Sequence, residues 1–143
     1  MMTTDLFWLM LTAILAASLW IPFVVGVNTT PYAGGDDHDF FVHPPDHQKM
    51  APWVHRAFRA HQNLLEQFTP YAVVVMIGHL VGVQTEITAW CAIGFFWLRV
   101  AHAIGMITAW ARNPARPIIF TAGWVVILVH AWQVFAHAGV ASA

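Results

Sequence analysis

Four long apolar segments dominate this sequence and determine the environment in which it folds. A bilayer core about 30 Å thick is crossed by a helix of about 20 apolar residues. The hydropathy pattern predicts spans at about 6–27, 53–83, 87–110 and 117–137, with a long connection at 28–52. We therefore expect one all-α membrane domain covering residues 1–143, built as an up-down bundle of four transmembrane helices.

The first apolar segment has the properties of a retained span rather than of a signal peptide. It contains only Thr12 and Ser18 as polar side chains, and it is preceded by Asp5 with no Lys or Arg. A signal peptide has a positively charged start and a shorter apolar run. Pro22 lies inside the segment and predicts a kink, because proline cannot donate the helical hydrogen bond.

The few charged residues indicate an orientation and exclude one class of partner. Charged residues make up 9% of the chain and the net charge is -1, so the clustered basic surface of a nucleic-acid-binding protein is missing. In an up-down bundle the basic residues other than Arg99 fall on one face: Lys49, Arg56, Arg59, Arg112 and Arg116. By the positive-inside rule, connections 28–52 and 111–117 are cytoplasmic and both termini lie outside.

The residue types allow two kinds of metal site. The 28–52 connection contains several possible ligands without the fixed spacing of a zinc motif, so we expect a solvated loop and no metal: Asp36, Asp37, His38, Asp39, His43, Asp46 and His47. Haem ligation by histidines on neighbouring spans is an alternative, with His79, His102 and His130 as candidates. Hydrogen bonds between helices are the favoured interpretation of the intramembrane histidines. Cys91 is the only cysteine, which excludes an intramolecular disulfide.

The segment "HRAFRAHQNLLEQFTPY", residues 55–71, concentrates polar side chains at the start of the second span. At 100° per residue, a set spaced by three, four and three residues falls within an arc of about 80°, which predicts one polar stripe on the helix: Arg56, Arg59, Asn63 and Glu66. Glu66 adjoins apolar residues, where a carboxylate normally faces a bundle interior or a water-filled cavity.

The third span supplies a partner for this carboxylate. Arg99 lies in the middle of an apolar helix, and His102 follows on the same face. The short turn at 82–86 places the second and third spans side by side. Arg99 lies somewhat short of the level of Glu66, and its long side chain can cover the gap. We therefore expect a buried Glu66–Arg99 ion pair.

The chemistry of the stripe suits a small zwitterionic ligand. Arginine binds carboxylates with two parallel hydrogen bonds, asparagine binds a peptide group, and glutamate accepts an ammonium group. Glutathione carries all three kinds of group. Tyr71 follows Pro70, and its hydroxyl is a candidate for the lining of the same site, with an interhelical hydrogen bond as the alternative.

"RAFRAHQNLLEQFTPY" resembles the signature of the MAPEG superfamily, the membrane-associated proteins in eicosanoid and glutathione metabolism. The matching residues are Arg56, Arg59, Ala60, Asn63, Glu66 and Pro70. A second block, "LRVAHAIGMITAWARNPARP", resembles the family's third helix and following loop through Arg99, His102, Arg112 and Arg116. Met106 stands where the family often has tyrosine, and the first span ends without the basic residue common among its glutathione users.

The resemblance implies a homotrimer that binds glutathione as co-substrate between subunits, near the cytoplasmic face. Arg59, Asn63 and Glu66 would hold it, with His102 nearby, and Arg116 or Arg112 would favour its thiolate. The expected activity is a glutathione- or other thiol-dependent transferase or peroxidase that acts on a lipophilic electrophile in a bacterial cytoplasmic membrane. A non-catalytic trimer, whose stripe is structural or binds lipid headgroups, is the alternative from a different class.

Overall fold

The computed structural model describes residues 1–35, 42, 43, 46–111 and 113–139, and its regular elements are helices. The connection residues Asp36, Asp37, His38 and Asp39, and the candidate catalytic residue Arg112, lie outside the described residues. The helices are α1 (Thr4–Ser18), α2 (Ile21–Thr29), α3 (Pro52–Leu80), α4 (Glu86–Ile107) and α5 (Ala115–His137), with a short 3-10 helix at His47–Lys49. Since α1 and α2 form one kinked unit, the described residues form a bundle of four long helices, as the sequence predicts.

The break between α1 and α2 lies directly before Pro22. Proline has no N–H, so the carbonyl of Ser18, four residues earlier, loses its helical partner. The helix stops at Ser18 and starts again at Ile21. The indole Nε1 of Trp20 donates to the carbonyl of Ala17 at 2.7 Å, which satisfies one of the backbone groups freed at the break. The predicted kink is confirmed.

A tight turn joins α3 to α4. Gly82 has a φ of 76°, and the amide N–H of Val83 donates to the carbonyl of Gly78 at 2.9 Å, the arrangement of a Schellman helix end. Helix α4 then begins with a capping box, in which Thr85 and Thr88 each accept a hydrogen bond from the other's backbone N–H. This hairpin places α3 and α4 antiparallel and in contact.

The distribution of polarity is inverted relative to a water-soluble bundle. Buried side chains include Arg99, His102 and His130, whereas large apolar side chains such as Trp97 and Leu128 are exposed. Helices at Thr4–Thr29, Glu86–Ile107 and Ala115–His137 are long and apolar enough to cross a membrane. Helix α3 is longer, but its polar first half lowers its mean hydropathy, and it packs against α1, α4 and α5 within the same bundle. The protein is therefore an integral membrane protein.

Two apolar clusters hold the helices together. One lies near the kink and joins α1, α3 and α4 through Ala16, Leu64 and Met106. The other lies nearer the N-terminal end of α1 and centres on Tyr71 and Phe95, whose rings stack at 4.0 Å. Between the first cluster and the loop after α4, the bundle opens into a cavity.

Candidate functional site

A cavity of about 730 Å³ lies at the end of the bundle where α4 connects to α5. This volume is within the usual range of small-molecule sites. Its described lining comes from α3, α4, the α4–α5 connection and the start of α5: Arg56, Asn63, His102, Met106, Ala109, Ala111, Asn113, Arg116, Pro117, Phe120 and Thr121. The site therefore depends on three helices and on the loop that joins two of them.

The α3 wall of the cavity carries Arg56 and Asn63. The Nε of Arg56 donates to the carbonyl of Ile107 at 3.3 Å, which anchors the arginine to the last turn of α4. The Nδ2 of Asn63 donates to the sulfur of Met106 at 3.3 Å. Because thioether sulfur is a weak acceptor, a ligand carbonyl or carboxylate would be a better partner for this amide. The two side chains are spaced by seven residues, so they lie on the same face two turns apart.

The opposite wall carries Arg116, in the first turn of α5, which is exposed and lines the cavity. The rim between α4 and α5 is held in an unusual conformation, since Ala109 has a φ of 62°. The amide N–H of Ala111 donates back to the carbonyl of Gly105 at 3.0 Å. A Cβ at Gly105 would lie 2.5 Å from the Cβ of Ala111, so glycine is needed where the loop folds against α4.

His102 completes the α4 wall. It is buried, its ring is tilted against that of Phe120 at 5.7 Å between centroids, and its Nε2 has no hydrogen-bond partner among the described residues. Arg56 and Arg116 are the charged groups among the described lining residues, and both are cationic. The cavity therefore favours an anionic ligand.

The polar stripe of α3 divides between two environments. Arg56 and Asn63 line the cavity, whereas Arg59 and Glu66 are exposed on the outer surface of the helix. The structure thus brings together Arg56, Asn63, His102 and Arg116 from the predicted site. It leaves Arg59 and Glu66 on a face that no other described part of this chain covers.

The predicted Glu66–Arg99 ion pair is wrong. Glu66 is exposed, whereas Arg99 is 1% exposed and its Nη2 donates to the carbonyl of Ile119 at 3.1 Å. The neighbouring residue Gln67 is the one that faces α5 beside Arg99. One residue corresponds to 100° of helix rotation, so the stripe that contains Glu66 turns its carboxylate away from α4.

Arg99 has no carboxylate partner among the described residues. Its guanidinium carbon lies 5.5 Å from the ring centre of Phe95 and 5.6 Å from that of Phe120. Such cation–π contacts gain strength when they are shielded from water. Arg99 does not line the cavity.

Tyr71 also lies away from the cavity. It is fully buried, and its hydroxyl lies 3.3 Å from the Nδ1 of His130. The Nε2 of His130 lies 4.0 Å from a carboxylate oxygen of Asp5. This network joins α1, α3 and α5, which agrees with the interhelical interpretation of Tyr71 and of His130.

Sequence reasoning missed Gln67 and Gly123. The Nε2 of Gln67 donates to the carbonyl of Phe120 at 3.0 Å, and Gly123 packs directly against Arg99 and Gln67. Gln67 could have been identified in the sequence, because it is an amide next to an apolar stretch. Gly123 gave no signal, because a glycine in a transmembrane helix is common.

The chain was compared with models of protein families and with curated proteins, and only the first comparison gives a match. The model of the MAPEG family matches residues 6–136, which covers α1 to α5 almost completely and includes every described residue that lines the cavity. No curated protein matches the chain.

Proposed function

Because the chain belongs to the MAPEG family, we propose that it is a membrane enzyme that activates the thiol of glutathione, or of a similar thiol, for transfer to a lipophilic electrophile or for reduction of a lipophilic peroxide. Family membership supports a role in glutathione or eicosanoid metabolism.

The main support for this proposal is the positive charge of the cavity wall. Arg56 and Arg116 face one cavity together with the Asn63 amide, and no carboxylate occurs among the described lining residues. Glutathione has two carboxylates and two peptide groups. An arginine fork binds a carboxylate through paired hydrogen bonds, and the amide of Asn63 is available to a peptide carbonyl in place of the Met106 sulfur.

Arg116 is the candidate catalytic residue. A positive charge beside a thiol lowers the thiol pKa and so favours the nucleophilic thiolate. In transfer, the sulfur then forms a bond to the electrophilic carbon, the leaving group departs with its electron pair, and the thiol proton passes to water. In peroxide reduction, the sulfur attacks a peroxide oxygen, the O–O bond breaks and the alkoxide departs and takes up a proton. A second thiol then displaces water from the sulfenic acid and forms the disulfide. We assign this role to Arg116 because it lines the cavity; Arg112 lies outside the described residues.

We further propose that the working form is a homotrimer. Arg59 and Glu66 are exposed on a helix of a membrane bundle. Charged groups within a membrane normally face a protein interior or a water-filled space. A neighbouring subunit against this face of α3 would enclose both residues, and Glu66 would then accept the ammonium group of glutathione while Arg59 binds a carboxylate.

The proposed location is a bacterial cytoplasmic membrane with the cavity opening toward the cytosol. Lys49, Arg56, Arg59 and Arg116 lie toward the same end of the bundle, which by the positive-inside rule is the cytoplasmic end. Glutathione would enter from the cytosol, and a lipophilic substrate would enter from the bilayer.

Thermal unfolding of the purified protein with and without glutathione tests the proposal. At about 100 times its dissociation constant, a ligand that binds only the folded state stabilises it by about 2.7 kcal/mol. We expect stabilisation of the wild type and a dissociation constant at least about tenfold higher in Arg56→Ala and in Arg116→Ala, because each loses a charged hydrogen bond.

Lys49→Ala is the matched control, since Lys49 is an exposed cation outside the cavity. It should bind glutathione like the wild type. No stabilisation of the wild type at millimolar glutathione, or equal affinity in all four proteins, would exclude the proposed site.

A further inference from the structure

Two backbone carbonyls of α5 accept hydrogen bonds from side chains of other helices. Arg99 of α4 donates to the carbonyl of Ile119 at 3.1 Å, and Gln67 of α3 donates to the carbonyl of Phe120 at 3.0 Å. A carbonyl oxygen has two lone pairs, so each can accept such a bond in addition to its helical one. Two adjacent residues of α5 are thereby fixed to two different helices.

The donors are buried and closely packed. Arg99 is 1% exposed and Gln67 is 5% exposed. A Cβ placed on Gly123 would overlap the Nη2 of Arg99, and it would lie 2.6 Å from the Oε1 of Gln67. A larger residue at this position would have to displace the ends of both side chains from their present positions.

The segment of α5 that they hold is the cavity wall. Arg116, Pro117, Phe120 and Thr121 line the cavity, whereas Arg99 and Gln67 do not. Arg116 lies about one helical turn before Ile119, on a continuous helix. A shift of α5 at Ile119 would therefore move the Arg116 backbone with it.

We propose that Arg99, Gln67 and Gly123 form a clamp on α5, and that Arg99 and Gln67 are positioning residues for the reaction. The clamp sets the distance between Arg116 and the bound thiol, and it contacts neither the thiol nor the lipophilic substrate. This part of the inference rests on the proposed function. A charge that is held in place stabilises a reacting group more than a mobile one, and a misplacement of 1 Å can reduce a rate about 100-fold.

The principal test is Gly123→Ala, with Gly94→Ala as the matched control. An added Cβ at Gly123 meets both clamp side chains, whereas at Gly94 it has no atom within 4 Å outside its own helix. With glutathione and an aryl halide as probes, Gly123→Ala should lower kcat about tenfold or more. Its pH–rate profile should move to higher pH, because displaced Arg116 stabilises the thiolate less. Gly94→Ala should match the wild type in both.

Gln67→Met provides a second variant of similar volume that removes the bond to Phe120 but adds no Cβ. It should change kcat and the pH–rate profile in the same direction as Gly123→Ala. If Gly123→Ala fails to fold, this variant decides the proposal. An unchanged pH–rate profile in a folded clamp variant would overturn the positioning role.

Hydrogen exchange of residues 115–124 separates failure of the clamp from failure of the proposed function, since it requires no ligand. Exchange in this segment should be faster in Gly123→Ala and in Gln67→Met than in the wild type or in Gly94→Ala. Wild-type exchange in the folded clamp variants would overturn the clamp itself. Faster exchange in a protein that does not bind glutathione would overturn the proposed function and leave the clamp intact.

Discussion

Arg99 is a buried cation that is stabilised by a backbone carbonyl and two aromatic rings instead of a carboxylate. Its contacts are with Ile119, Phe95 and Phe120, which belong to α4 and α5. Transfer of a charged group out of water costs several kcal/mol unless hydrogen bonds and nearby dipoles compensate it. The residue therefore ties two helices together through an interaction that would be weak at a solvated surface.

The exposed position of Glu66 leads to a prediction at the residue scale. In the ligand-free monomer, separated from the proposed trimer in detergent, Glu66→Gln should change the free energy of unfolding by less than about 0.5 kcal/mol, because exposed substitutions usually have small effects. Thermal unfolding in detergent measures this. A loss of several kcal/mol, the cost expected for breaking a buried ion pair, would show that Glu66 does pair with a buried cation.

The backbone of Ala109 leads to a second prediction. A non-glycine residue with φ near 60° is strained by contact of its Cβ with the backbone. Ala109→Gly removes this strain from the folded state, and it also gives the unfolded chain more conformational freedom. Because we expect the first effect to be larger, the free energy of unfolding should rise by about 0.5 to 1 kcal/mol. The expected result is a higher midpoint of thermal unfolding; a lower midpoint would contradict the assigned conformation.

Glu66 and Gln67 are neighbours in the sequence, but they face different environments. Periodicity predicts that Asn63 and Glu66 share a stripe, and hydropathy predicts that Arg99 is buried. Neither indicates which edge of the stripe faces α5. The partner of Arg99 is a backbone carbonyl, and every residue has one, so the sequence contains no specific signal for it.

The break between α1 and α2 is explained by one residue, Pro22. Pro22→Ala would supply the N–H that the carbonyl of Ser18 lacks, and it would remove the steric clash of the proline ring. We expect α1 and α2 to join into one helix, with hydrogen exchange slowed across residues 18–24. Exchange at the wild-type rate in this segment would mean that packing of α2 against α3, and not Pro22, maintains the break.

Helix α3 shows what packing adds to periodicity. The sequence predicts its polar stripe, and the structure divides that stripe into a cavity-lining part and an exposed part. The division depends on where α4 and α5 lie around α3, which is a tertiary property. The loop after α4 is a similar case, since Gly105 is required only because Ala111 folds back onto the helix.

At the scale of the whole molecule, the inverted polarity and the sidedness of the basic residues lead to a topology prediction. In sealed vesicles, Lys49→Cys should react with a membrane-impermeant maleimide from the cytosolic side only, because Lys49 is exposed near the basic end of the bundle. The background thiol is Cys91, which is buried. Introducing Lys49→Cys into Cys91→Ala removes this second thiol and provides the control. Labelling from the opposite side would show that the orientation is the reverse of the one predicted.

We propose that the cavity binds glutathione and ionises its thiol beside Arg116. The most direct test is the ultraviolet difference absorption of the thiolate when glutathione is added to the protein at pH 7. A free thiol is mostly protonated at this pH. We expect a thiolate signal that saturates with wild-type protein and is largely lost in Arg116→Ala. Saturable binding of glutathione without a thiolate signal, or an equal signal in Arg116→Ala, would contradict the role proposed for Arg116.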